Sequence, residues 1–160
     1  MTKKISVGIA DMKMTRQEGI LITYALGSCI GISFYDPMIK LGALLHIMLP
    51  EKNQASDSNI LKFADSGIQE TLRKFCAFGG VKRRTVCKIA GGAKMFEMKG
   101  PGGLGNIGER NALTVKRILT AEGLRISGED TGGNCARTML IDVATGQVSI
   151  RSVGKPERIL

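Results

Sequence analysis

With 160 residues, 43% of them hydrophobic and 23% charged, the chain is long enough for one domain with a real core and too apolar for wholesale disorder. Its net charge of +9, from 23 basic and 14 acidic residues, points to an acidic partner or to a solvated lysine-rich surface. An aromatic content of 4%, no tryptophan and no recognisable binding module argue against nucleic acid as that partner.

No internal repeat, low-complexity tract or linker interrupts the sequence, so residues 1–160 are read as a single domain. In chain order, Lys4 to Ala10 and Gly19 to Ala25 read as strands. Cys29 to Tyr35 alternates weakly and ends at the turn signal Asp36-Pro37. Leu41 to Leu49 is a nearly continuous apolar run, the pattern of a strand buried on both faces. From Asp57 to Phe78 the period changes. Ile60, Leu61, Ala64, Ile68, Leu72 and Phe75 fall at helical spacing, Ser56, Asp57 or Ser58 can cap the start, and Gly79-Gly80 stops the helix. Arg84 to Ala90 returns to strand. Asn106 to Glu122 reads as a second helix, with Ile107, Leu113, Ile118 and Leu119 facing inward. Leu124 to Glu129, Thr138 to Val143 and Gln147 to Val153 complete the strands, the last two joined at Ala144-Thr145-Gly146. Seven or eight strands and two helices predict an α+β domain: two stacked β-sheets flanked by helices.

Four cysteines (Cys29, Cys76, Cys87, Cys135) could form a disulfide framework. Against it, Val7 to Met14 carry an aspartate and a lysine where a signal peptide needs an apolar core, and no apolar run is long enough to span a bilayer. There is no C-x-x-C pair, and a single histidine is a poor basis for a zinc site. All four thiols are therefore expected to be reduced in a cytoplasmic protein with no membrane insertion and no metal. Gly91-Gly92-Ala93 and Gly100-Pro101-Gly102-Gly103-Leu104-Gly105 only superficially resemble phosphate-cradling loops and are read as turns. Gly132-Gly133-Asn134 is read as a turn whose polarity would suit the rim of a site.

Two residues could carry chemistry together. Cys29 follows Gly27-Ser28 between two predicted strands, where a tight turn can expose a thiol and aim backbone N–H groups at one point. A lone cysteine is more often a small buried hydrophobe. His46, the only histidine, sits inside the apolar run, where an imidazole needs a partner. A cysteine nucleophile needs a nearby base, and imidazole suits that task. If Cys29 is the nucleophile, His46 is nearly forced as its base. Thr23 or Asp36 could orient the ring, and spacing alone does not choose between them.

Taken together these segments resemble the CheD family, the chemoreceptor glutamine deamidases of bacterial and archaeal chemotaxis. The matching pieces are Thr23 with Leu26-Gly-Ser-Cys29, Asp36-Pro37, Gly42-Ala-Leu-Leu-His46 and Met48-Leu-Pro50. Further on come Phe63-Ala-Asp65, Lys88-Ile-Ala-Gly-Gly-Ala93, Met95-Phe96, Asn106-Ile-Gly-Glu-Arg-Asn111 and Glu129-Asp-Thr-Gly-Gly-Asn134. The resemblance implies a fold shared with the catalytic domain of cytotoxic necrotizing factor toxins and a catalytic set falling on Thr23, Cys29 and His46. It implies a protein-glutamine glutaminase that converts receptor glutamine to glutamate through a cysteine thioester, with no cofactor. The implied partners are methyl-accepting chemoreceptors and a CheC-type phosphatase; the alternative is an interaction protein whose main task is to regulate that phosphatase. Phe63 stands where the family usually has tyrosine, and Cys135 where arginine or another residue is more usual.

Overall fold

The computed structural model describes residues 2–53, 58–95 and 106–160. The predicted Ser56 and Asp57 caps and the glycine-rich stretch from Gly100 to Gly105 lie outside the described residues. Among the described residues there are ten strands: β1 (Lys4–Ser6), β2 (Asp11–Arg16), β3 (Ile20–Leu26), β4 (Ile30–Asp36), β5 (Leu41–Ile47), β6 (Val86–Gly91), β7 (Arg125–Thr131), β8 (Arg137–Asp142), β9 (Gln147–Arg151) and β10 (Arg158–Ile159). The described α-helices are α1 (Ala64–Ala77) and α2 (Ile107–Ala121).

The strands form two five-stranded mixed sheets, ordered β1-β3-β8-β9-β10 and β2-β5-β4-β6-β7. The alternation along β4 and β5 explains the layers. Ile30, Ile32 and Phe34 of β4, with Leu41, Ala43, Leu45 and Ile47 of β5, pack against Ile68, Leu72 and Phe75 of α1 and Val115 and Leu119 of α2. The opposite face, with Leu44 and Tyr35, packs against Leu21, Leu26, Met139, Ile141 and Val148 of the first sheet. The β5 run is buried on both faces, as its continuous apolarity predicts. Gly31 and Gly42 lie on the inter-sheet face. A Cβ at Gly31 would stand 2.9 Å from the Met139 sulfur, and one at Gly42 only 2.6 Å from a Val143 methyl. Their missing side chains let the sheets close.

Three sequence expectations change. The predicted strand from Lys4 to Ala10 ends at Ser6, because Ala10 takes a φ of 55° and the chain turns into β2 on the other sheet. The predicted helix from Asp57 to Phe78 is divided. Ile60–Lys62 form a single 3₁₀ turn capped by Asn59, not Ser58, and Phe63 is extended, bridged in parallel to Leu49. Phe63 is thereby buried in the core. On α2 the buried stripe is Gly108, Asn111, Ala112, Val115 and Leu119, whereas Leu113 is 60% exposed. The hairpin signal at Ala144-Thr145-Gly146 does join β8 to β9, with Asp142 opposite Gln147 and Gly146 at a φ of 82°. Among the described residues no helix is long and apolar enough to cross a membrane.

Candidate active site

The inter-sheet face carries the titratable residues that matter. His46 is opposite Gly31 on β4 and opposite Asp11 on β2, so it shares a face with both. Leu44, two residues earlier on β5, points into the inter-sheet core, and the two-residue repeat sends His46 the same way. Its side chain is fully buried. Cys29 stands two residues before Gly31 at the entrance to β4, half-buried against the inter-sheet core. That puts thiol and imidazole in a diagonal relation across β4 and β5, a spacing of about 7–8 Å or less at the backbone.

Thr23 reaches the same space from the facing sheet. Its Oγ1 is 2.7 Å from His46 Nδ1 and donates to the Val7 carbonyl at 2.7 Å. A hydroxyl has one hydrogen. With that hydrogen given to Val7, Thr23 can only accept from the ring, so Nδ1 carries the imidazole proton. His46 Nε2 is then the unprotonated nitrogen. It is buried, with no hydrogen-bond partner among the described residues. Leaving such an atom unpaired costs about 1–3 kcal/mol, and it leaves a lone pair able to accept a proton.

Asp36, the other residue considered as orienting group, is at the far end of β4. It is fully buried and binds the Arg84 guanidinium at 2.8–3.1 Å and the Val81 and Met38 N–H groups at 3.0 and 3.1 Å. Its carboxylate staples the turn after β4 to the segment before β6, and it does not orient His46.

Burial pushes the His46 pKa down to about 4, with the Asp11 carboxylate pulling weakly the other way. Burial also pushes the Cys29 thiol up, against the smaller effect of a hydrogen bond from its own backbone N–H. The resting pair is therefore thiol and neutral imidazole, not thiolate and imidazolium. Any attack by this sulfur would have to be accompanied by transfer of its proton.

The loop holding Cys29 is braced from three sides. Gly92 N–H donates to the Cys29 carbonyl at 2.9 Å and Ala93 N–H to the Gly27 carbonyl at 2.8 Å. Asn111 Nδ2 donates to the Ser28 carbonyl at 2.9 Å and also to the Met48 carbonyl at 2.8 Å. Immediately upstream, the β3–β8 register shifts between Thr23 and Leu26, and Ala25 takes a φ of 58°. This bulge bends β3 between the threonine and its last residue, Leu26. Gly91-Gly92-Ala93 is thus no simple turn: it is the wall against which the Cys29 loop rests. Gly132-Gly133-Asn134 adjoins it, with Gly132 N–H donating to the Gly91 carbonyl at 3.0 Å and Lys94 N–H to the Gly133 carbonyl at 2.8 Å. Arg137 backs that wall. It binds the Gly91 and Gly132 carbonyls at 3.2 and 2.7 Å and Asp130 at 3.0 Å.

Sequence spacing could not show Asn111, Asp11 or Arg137 at this site, because they come from three separate elements. The other cysteines stand apart in environment: Cys76 is exposed, Cys87 is fully buried with its pKa pushed up to about 12 by burial, and all four cysteines are free. Gly91 allows a direct test of the brace. A Cβ there would lie 2.1 Å from the Cys29 carbonyl oxygen, at a φ of 114° that side chains rarely adopt. Gly91→Ala is expected to lower stability by about 2 kcal/mol, read from urea midpoints, and to displace the thiol.

A family model described as CheD chemotactic sensory transduction matches residues 48–152. That span begins just after His46, so the three candidate residues precede it, but similarity to curated relatives extends over nearly the whole chain. A protein of Desulforamulus reducens described as "Probable chemoreceptor glutamine deamidase CheD" is 46% identical over 158 residues, covering 98% of this chain and 95% of that protein. One of the same description from Syntrophomonas wolfei is 46% identical over the full length of both chains. An archaeal protein so described, from Pyrococcus abyssi, is 44% identical over 154 residues, covering 96% of this chain and 94% of the other. With more than half its length matched by the family model and near-complete relatives in bacteria and archaea, the chain belongs to the CheD family.

Proposed function

We propose that the protein is a glutamine deamidase of methyl-accepting chemoreceptors, acting in chemotaxis with Cys29 as nucleophile, His46 as general base and Thr23 as the residue that orients the base. The carrying observation is the buried Thr23–His46 hydrogen bond, which leaves Nε2 without a partner among the described residues, on the inter-sheet face against which Cys29 also packs. His46 Nε2 takes the Cys29 proton as the sulfur attacks the side-chain amide carbon of a receptor glutamine. The tetrahedral intermediate collapses with loss of ammonia, which leaves with the proton returned by His46, and a γ-glutamyl thioester remains on Cys29. A water that gives its proton to the same nitrogen attacks the thioester, releasing glutamate and restoring the thiol. The chain's own residues supply every proton transfer.

The protein works in the cytoplasm, a reading that its four free cysteines support. Its excess of basic residues favours encounter with acidic receptor surfaces. A CheC-type phosphatase is a further partner, one that would regulate access to the thiol. Mass spectrometry of receptor fragments incubated with the protein tests the activity. A gain of about one mass unit at defined glutamines is expected, and fragments unchanged after prolonged incubation with folded protein would refute it. If the main task were instead to bind and regulate the phosphatase, Cys29→Ala would support normal chemotaxis.

A further inference from the structure

Asn111 is an expensive residue where it stands. Its side chain is fully buried on the inner stripe of α2, between Gly108, Ala112 and Val115, where an apolar residue would pack without polar cost. Asparagine is also a poorer helix former than alanine. Its Oδ1 is buried without a partner among the described residues, so the amide is only half satisfied. What it does accomplish is to spend both N–H groups of Nδ2 on two carbonyls from separate segments. One belongs to Ser28, just before the nucleophile; the other belongs to Met48, two residues after the base. Continuing the β4–β5 register past Ile30 and Ile47 sets Cys29 opposite Met48, so a single amide bridges the ends of the two strands that carry Cys29 and His46.

The Ser28 bond has a second consequence. No cis peptide occurs among the described residues, and in a trans unit the carbonyl and the following N–H point in opposite directions. Drawing the Ser28 carbonyl toward α2 therefore turns the Cys29 N–H away from the helix. The Cys29 side chain lies on that same far side, packed against the inter-sheet core, whereas α2 packs on the opposite face of the sheet. The adjoining Gly27 and Cys29 carbonyls are held by Ala93 and Gly92, so the peptide planes around the sulfur are fixed by bonds to their carbonyls. An N–H held beside the sulfur is also beside the oxygen of any tetrahedral intermediate formed on that sulfur.

We propose that Asn111 is a positioning residue for the reaction, resting on the reading of Cys29 as nucleophile: it holds the Ser28–Cys29 peptide so that the Cys29 N–H faces the reacting sulfur, and ties that peptide to the strand bearing His46. Asn111→Ala removes both donors. Val115→Ala, one helical turn away in the core between α2 and its sheet, is the control for loss of packing alone. Both variants are assayed well below their melting temperatures for receptor-fragment deamidation. Both are also assayed for the pH dependence of Cys29 alkylation by iodoacetamide, read at that residue by peptide mapping. His46 and Asp11, the ionisable groups facing the site, are retained in both.

For Asn111→Ala, kcat is expected to fall about 10²-fold with KM changed by less than about threefold, the signature of a lost transition-state donor. The midpoint of the alkylation profile is expected to move upward by about half a pH unit or more, because the thiolate loses its N–H donor. Val115→Ala should leave both close to wild type. A kcat for Asn111→Ala within about twofold of the Val115→Ala value overturns the proposal. So does an unshifted alkylation midpoint, whatever the deamidation rate. If the wild-type protein modifies no receptor glutamine, the deamidase reading fails on its own, and the alkylation midpoint still decides whether Asn111 orients the Cys29 peptide.

Discussion

Cys29→Ala is expected to abolish conversion of receptor glutamine to glutamate, a loss of at least about 10³-fold in rate, and His46→Ala to do nearly the same. The two act as one unit. Burial raises the thiol and lowers the imidazole, so there is no standing thiolate for the sulfur to fall back on. Without the imidazole nothing takes the proton as the sulfur attacks, and without the sulfur there is nothing to acylate. Thr23→Ala should leave measurable activity. Its hydroxyl accepts from Nδ1 and selects the tautomer, a task that a water in the vacated space, bonded to the Val7 carbonyl, can partly assume. Rates by mass spectrometry across the three variants check the ordering. Cys29→Ala acting at the wild-type rate would end the cysteine mechanism, and Thr23→Ala as inactive as His46→Ala would give the threonine more than an orienting part. Replacing Cys76, Cys87 or Cys135 by serine or alanine should spare the chemistry.

The second large effect concerns acid stability. His46 has its folded-state pKa depressed from 6.5 to about 4 by burial. Between those values the unfolded chain binds a proton that the folded chain does not. Stability therefore rises with pH across this window and is lost as pH falls from 6.5 toward 4. Two and a half units correspond to a loss of roughly 3 kcal/mol, complete once pH lies below the folded value. His46→Asn removes the titrating ring while keeping an amide N–H able to donate to Thr23. Urea midpoints at pH 7 and pH 4 should show wild type losing roughly 3 kcal/mol more than the variant. Carboxylates such as that of Asp36, which the Arg84 guanidinium and two backbone N–H groups hold low against burial, titrate in both proteins and cancel in the difference. Equal losses in the two proteins would mean that the histidine is protonated in the folded state at pH 5.

Where sequence reading failed on α2, the reason is instructive. The inward face was sought among Ile107, Leu113, Ile118 and Leu119, because apolar residues mark buried stripes. Leu119 is buried and Ile118 packs against the core as expected, but the stripe also runs through Gly108 and Asn111, and Leu113 faces solvent. Gly108 has no side chain because a Cβ would stand 2.5 Å from the Ala93 carbonyl oxygen, and Asn111 is polar because it holds two carbonyls at the site. Both depart from the helical pattern where α2 touches the loops around Cys29. The division of the first predicted helix at Phe63 has a similar origin. A bridge to Leu49, made only in the folded chain, overrides a local period that continues across it.

The linear sequence determined the two-sheet α+β class, the doubly buried β5 and the β8–β9 hairpin, because these depend on periodicity and turn chemistry within short windows. It also singled out Cys29 and His46, one as the cysteine after a glycine-serine turn and the other as the only imidazole. Spacing left Thr23 and Asp36 open as partners of the ring and the family resemblance pointed to Thr23; the tertiary structure supplies the reason, since one meets the ring across the sheets and the other is drawn to Arg84 at the opposite end of its strand. It alone brought in Asp11, Asn111 and Arg137, whose elements are separated by dozens of residues and meet only when two sheets and a helix close on one another. The protonation of the pair was decided there as well, because pKa values respond to burial and to facing charges, and neither exists before the chain folds.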